Sequence, residues 1–276
     1  MSRDDVLISV AELMARIGEV SVLDVRWRLG EPAGAGRERY AVGHLPGAPF
    51  LDLETVLTRH TGNPRDGRHP LPDLPTLATG LGALGVEQSR PIVVYDEAGS
   101  WAADRAWWLL RWAGLDVRVL DGGVAAWTAA GGVLDGRPVD AEPTRLALSS
   151  GHLATASADE AAAAPRAGVL VDVRAPQRFR GEVEPVDPVA GHIPGAVNVP
   201  VQGLFDEAGF LPDAATLRHL FGAALDGRPI TTYCGSGVSS AHAVLALKAL
   251  GVDAALYPGS WSAWCNDPAR PVATGP

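Results

Sequence analysis

Cys234 stands where chemistry at sulfur is feasible. It follows Ile230-Thr231-Thr232-Tyr233 and opens the loop Gly235-Ser236-Gly237-Val238-Ser239, after which residues 240–250 carry apolar side chains at helical spacing. The thiolate is the attacking species, and a free thiol near its ordinary pKa is only ~3% ionised at pH 7. The pattern supplies ways to raise that fraction. A buried strand ending at Tyr233 would put the sulfur at a carboxyl edge, where open α/β sheets place ligands. The loop from Gly235 to Ser239 runs into a helix N-terminus, whose unpaired N–H groups favour an anion. Gly235 and Gly237 can both take positive φ and turn their amides inward around it. The competing reading is a buried structural cysteine. Cys265, in Ser260-Trp261-Ser262-Ala263-Trp264-Cys265, has no such loop and reads as a packed or partly exposed residue.

The elements that must position this loop occur twice. Asp24, Arg26, His44, Pro46 and Gly47 recur as Asp172, Arg174, His192, Pro194 and Gly195, each 148 positions later. The stretch 93–114 then matches 231–251 at an offset of 138, the lost ten residues fitting the longer connection 60–75 of the first half. Each half reads as helical start, short strand ending in Asp-Val-Arg, Gly-His-x-Pro-Gly turn, second strand, helix, and a last strand before a Trp-containing helix. Such alternation predicts an α/β fold: tandem duplicated domains, each a mainly parallel sheet flanked by helices. The expected division is a first domain over 1–140, a Gly/Pro-rich linker over 141–154 and a second domain over 155–276. Asp96 occupies the cysteine's position in the first copy, which makes the first half the supporting one. His44 and His192 occur in both copies and are expected to stabilise turns.

Composition excludes several classes. The 276 residues carry a formal net charge of −9, with a pI near 5.2, which argues against nucleic acid or an anionic membrane as partner. The N-terminal stretch lacks the pattern of a secretory signal, and no apolar run is long enough to span a bilayer. Two cysteines make no disulfide framework, so a reducing, cytoplasmic setting is expected. No clustered His/Cys ligand pattern occurs, so neither a metal nor a cofactor is expected. Gly80-Leu81-Gly82-Ala83-Leu84-Gly85 fits a dinucleotide fingerprint but lies at a helix end, the wrong context. The tryptophans suit core packing.

With Asp-Val-Arg and Gly-His-x-Pro-Gly in both halves, the Cys234-Gly235-Ser236-Gly237-Val238-Ser239 loop and Tyr257-Pro258-Gly259-Ser260-Trp261, the chain resembles the two-domain sulfurtransferases of the rhodanese family. The loop is similar to that of the 3-mercaptopyruvate branch; the thiosulfate branch has basic residues where Gly235 and Ser236 stand. The resemblance implies a small-molecule sulfur donor, a persulfide on Cys234, and transfer to cyanide or to a thiol such as that of a reduced thioredoxin-like protein. It implies that Arg178 grips the donor carboxylate within a site that includes Gly235, Gly237, Val238 and Ser239. The branch usually has a further arginine about nine residues on; Asp187 falls there, with Arg180 as a substitute. It also implies a proton relay from Ser236 through His69 to Glu54, or to Asp52. On sequence alone His69 reads as a solvated loop residue. Alternatives are a thiosulfate sulfurtransferase and a persulfide carrier with a protein acceptor. A cysteine phosphatase needs an arginine six residues after the cysteine, and Ser240 is there instead.

Overall fold

The computed structural model describes residues 2–97 and 100–276. The first half runs β1 (Leu7–Ile8), α1 (Val10–Arg16), β2 (Ser21–Asp24), α2 (Ala35–Val42), α3 (Leu74–Ala83), β3 (Ile92–Tyr95), α4 (Ala102–Trp112), β4 (Val117–Leu120) and α5 (Gly123–Ala129). The second runs α6 (Ala158–Ala167), β5 (Val169–Asp172), α7 (Pro176–Phe179), β6 (Val197–Asn198), α8 (Ala214–Phe221), β7 (Ile230–Tyr233), α9 (Ser239–Ala249), β8 (Ala254–Leu256) and α10 (Ser260–Trp264). Each half holds a four-stranded, all-parallel sheet, ordered β1-β4-β3-β2 and β6-β5-β7-β8. The central strands β3 and β5 are buried at every residue, as strands covered by helices on both faces require. No helix among the described residues is long and apolar enough to cross a membrane.

Short polar caps set the helix starts. Ser9 accepts from the Glu12 N–H, Asp73 from Thr76 and Asp213 from Thr216, while Ser157 and Glu160 form a reciprocal capping box on α6. The helices α2, α7 and α8 were not anticipated. The first has a polar composition with one buried residue, Tyr40, and the second has only four residues, so neither shows a helical apolar stripe.

The repeated motifs are internal ties. Arg26 grips Asp24 through Nε and Nη2 and donates to the Gly43 carbonyl at 2.7 Å; Arg174 does the same with Asp172 and Gly191. Tyr95 and Tyr233 hydroxyls accept the N–H of Leu45 and Ile193, at 2.9 and 3.0 Å. His44 and His192 bond backbone carbonyls and stack on Tyr40 and Phe179, as their presence in both copies foretold. These buried bonds fix where each strand's carboxyl end meets the following turn.

The halves share one continuous apolar core. Helices α4 and α9 pack on each other, with Trp107 and Trp108 of α4 and Val244 to Leu247 of α9 buried together. Residues of one half are thereby brought to the cysteine loop of the other.

Candidate active site

Cys234 follows β7 directly and is 1% exposed. The Gly237 N–H points at its sulfur from 3.1 Å, and the Ser240 hydroxyl lies 3.4 Å away. Burial alone would push the thiol up; the Ser239 and Ser240 hydroxyls and the loop N–H groups outweigh it and hold it below the ordinary thiol value. The anion-favouring loop read from the sequence is therefore present, with one correction. Gly237 has φ 79° and is pressed against the Pro258 carbonyl, but Gly235 is not in the left-handed region. A Cβ at Gly235 would lie 2.8 Å from Nη2 of Arg68, so a side chain there would displace the end of that arginine. Cys265 differs in kind, since burial and the nearby Asp187 charge push its thiol up to about 11.

Ser260 braces the loop from behind. Its hydroxyl oxygen accepts the Cys234 N–H at 3.1 Å and lies 3.9 Å from the sulfur. Its φ of 52° makes it the one non-glycine with positive φ among the described residues, a strain normally tolerated only where surroundings over-determine it. At the matching place in the first half stands Gly123, φ 56°, where a Cβ would meet the Asp96 carbonyl at 2.3 Å.

The first half supplies His69, Glu54, Trp27 and Arg105. His69 is 5% exposed, with Nδ1 2.8 Å from the Ser236 hydroxyl and Nε2 3.4 Å from Oε1 of Glu54. The solvated-loop reading of His69 is thus corrected, because the second half covers it. Trp27 donates to the same Glu54 oxygen at 2.8 Å and meets the His69 ring edge-on. Asp52 instead accepts the N–H groups of Glu54 and Thr55, which turns it away from the relay. Burial pulls the His69 pKa down, so the ring is neutral at pH 7, while the bond to His69 holds Glu54 below the usual carboxylate range. An ionised Glu54 takes Nε2–H, which leaves Nδ1 to accept from Ser236. Arg105 of α4, fully buried, donates to the Gly237 carbonyl at 3.2 Å and the His69 carbonyl at 3.0 Å. Burial lowers its pKa to about 10, offset by the Cys234 charge.

A pocket opens over the sulfur, walled by Trp27, Trp101, Arg68, Arg178 and Val238 among others. Arg178 pairs with Glu184 at 2.5 Å and with Asp187 at 3.2 Å, and Arg68 also pairs with Asp187. Arg180 pairs with Glu182 and is not among the lining residues.

A rhodanese-like domain model matches residues 9–130 and again 157–267. The chain belongs to the rhodanese family. It is 47% identical to a Mycobacterium tuberculosis protein, SseB, named as a thiosulfate sulfurtransferase, over 99% of both chains. It is 44% identical to a Pseudomonas aeruginosa protein named as a 3-mercaptopyruvate sulfurtransferase, over 98% of both. The crystal structure of SseA from Escherichia coli, titled as a 3-mercaptopyruvate sulfotransferase, aligns with TM-score 0.83 and 33% identity, covering 92% of this chain and 98% of that one.

Within this rhodanese framework the two halves treat one loop position differently. In the second, Cys234 stands at that position, just before α9. In the first it is Asp96, whose Oδ2 accepts the Ala103 N–H of α4 at 2.8 Å. Sequence reasoning missed Arg68, Arg105, Trp27 and Ser260 as neighbours of the sulfur. Arg68 directly precedes His69, and Ser260 aligns with a glycine; those were the available signals.

Proposed function

We propose that this protein moves sulfur from 3-mercaptopyruvate, through a persulfide on Cys234, to a thiol or cyanide acceptor. The Cys234 thiolate attacks the donor sulfur; the C–S bond breaks and its electron pair goes to the three-carbon fragment as an enolate. A proton reaching the enolate carbon gives pyruvate, and the sulfur remains as Cys–S–SH. An acceptor thiolate then attacks the outer sulfur and restores the Cys234 thiolate. A thiol on a reduced thioredoxin-like protein suits this second step, in a cytoplasmic setting that keeps both cysteines free.

The observation that carries the reading is the Ser236–His69–Glu54 chain beside the sulfur. An enolate needs a proton to leave, and a neutral His69 bonded to the Ser236 hydroxyl is a route for one. Thiosulfate would release sulfite, a weak base that needs none. The name of the SseB relative favours thiosulfate as the second reading.

The test is sulfur transfer to cyanide from each donor, with wild type and Cys234→Ser. A preference for 3-mercaptopyruvate that vanishes in the variant is expected. A preference for thiosulfate would replace the donor, and transfer from neither would leave a persulfide carrier.

A further inference from the structure

Two guanidinium groups from different halves of the chain converge above the cysteine loop. From the point over Gly235 that a side chain would occupy, Arg68 Nη2 is 2.8 Å away and the two Arg178 terminal nitrogens are 3.7 and 3.8 Å away. Both arginines line the pocket that holds Cys234. Arg68 is anchored from behind by its own N–H, which donates to the Ser262 hydroxyl at 3.1 Å, while its buried Nε has no partner. Asp187 lies between the two cations, one carboxylate oxygen on each, and is 3% exposed. Glu184 takes Nε and Nη2 of Arg178, the same Nη2 that meets Asp187, and also reaches Arg174 at 3.3 Å.

The charges nearly cancel. Arg68, Arg174 and Arg178 are matched by Asp172, Glu184 and Asp187, so the wall offers directed N–H donors with little net positive field. Such a wall suits a planar monoanion, which gains from paired guanidinium hydrogen bonds. A dianion depends more on net field, and each acid that faces the arginines works against it.

We propose that Arg68 is the second guanidinium for the donor's carboxylate, partnering Arg178 across the domain boundary, and that Asp187 biases the pocket against dianionic donors. This inference rests on the sulfurtransferase reading given above. It makes donor choice a joint property of the two halves.

The test compares wild type with Arg68→Gln, Arg68→Lys and Asp187→Asn, using 3-mercaptopyruvate and thiosulfate as donors. Pyruvate serves as a competitive anion probe. Loss of a hydrogen bond to a charged group predicts a KM for 3-mercaptopyruvate raised by roughly tenfold or more in Arg68→Gln, with weaker inhibition by pyruvate to match. The value of kcat is expected to stay within about threefold, and Arg68→Lys to fall between the two. Asp187→Asn is expected to raise kcat/KM for thiosulfate relative to 3-mercaptopyruvate by roughly tenfold. An unchanged KM and unchanged pyruvate inhibition in Arg68→Gln would overturn the role of Arg68. So would a lowered melting temperature with a fall in kcat alone, since a mere strut between domains behaves that way. An unchanged donor ratio in Asp187→Asn would overturn the second part. If wild type used neither donor, the sulfurtransferase reading would fail by itself. Calorimetric binding of pyruvate to wild type and Arg68→Gln would then still decide whether Arg68 holds a carboxylate.

Discussion

The Ser236 hydroxyl oxygen of the second half lies 2.8 Å from Nδ1 of His69 in the first, and this bond joins the cysteine loop to a buried imidazole backed by the half-buried Glu54 carboxylate. A relay through it needs His69 neutral. Because burial holds His69 below its ordinary value, the part of the acid limb of kcat/KM that belongs to His69 is expected below pH 6.5. Glu54 raises the His69 pKa, so Glu54→Gln should move that limb to lower pH while kcat falls about tenfold or more. A His69→Ala variant that kept wild-type turnover with 3-mercaptopyruvate would remove the relay from the mechanism.

The thiol itself can be titrated by its rate of alkylation with iodoacetamide. The donors around Cys234 predict an apparent pKa below the ordinary thiol value. Ser240→Ala removes a hydroxyl 3.4 Å from the sulfur and should move the pKa upward, with a smaller thiolate fraction at pH 7. A variant with an unshifted alkylation profile would assign Ser240 to packing alone.

Arg105 gives a second handle on the same titration. Its guanidinium and the Cys234 thiolate favour one another's charge, although only the N-terminal half carries the arginine. Arg105→Met should therefore raise the thiol pKa and leave the Gly237 and His69 carbonyls without their donor. Turnover at pH 7 is expected to fall about tenfold, with partial recovery at pH 9. No recovery at high pH would show that the lost carbonyl contacts, rather than the lost charge, cause the defect.

Asp96 sets a pH dependence of stability. Burial, with Asp104 beside it, raises its pKa to about 7, so the folded chain holds a proton that the unfolded chain releases near pH 4. Unfolding free energy should then decrease as pH rises from about 4 to about 7, by up to roughly 4 kcal/mol from this group. Burial would lower His242, but Asp104, 3.0 Å away, raises it above its ordinary value. The His242 contribution is likewise present below its ordinary value and lost as pH rises through the raised folded value. Asp96→Asn should flatten the lower window and leave the chain more stable at pH 8. Urea melts across pH 5–8 read this directly, and parallel slopes for wild type and variant would refute it.

Much of the fold was legible because its instructions are local and said twice. Apolar strands of four residues, Asp-Val-Arg, and the Gly-His-x-Pro-Gly turn specify one unit, and their return at fixed offsets specifies two. The helix α2 was not legible, since a polar stretch with only Tyr40 buried carries no apolar period. The backbone of Gly235 was not legible for a related reason: it lies outside the left-handed region and faces the end of Arg68, some 170 positions away in sequence.

By itself the sequence determined the duplicated α/β plan, the single thiol at a strand end and the donors that follow it, because strand, loop and helix N-terminus are contiguous in the chain. Only the tertiary structure decided what surrounds that thiol. The packing of α4 on α9 carries Arg105 under the loop and brings His69, Glu54 and Arg68 over it. The contacts that cross between the halves join residues more than a hundred positions apart, and the burial of the shared core, not any local pattern, fixes them in place.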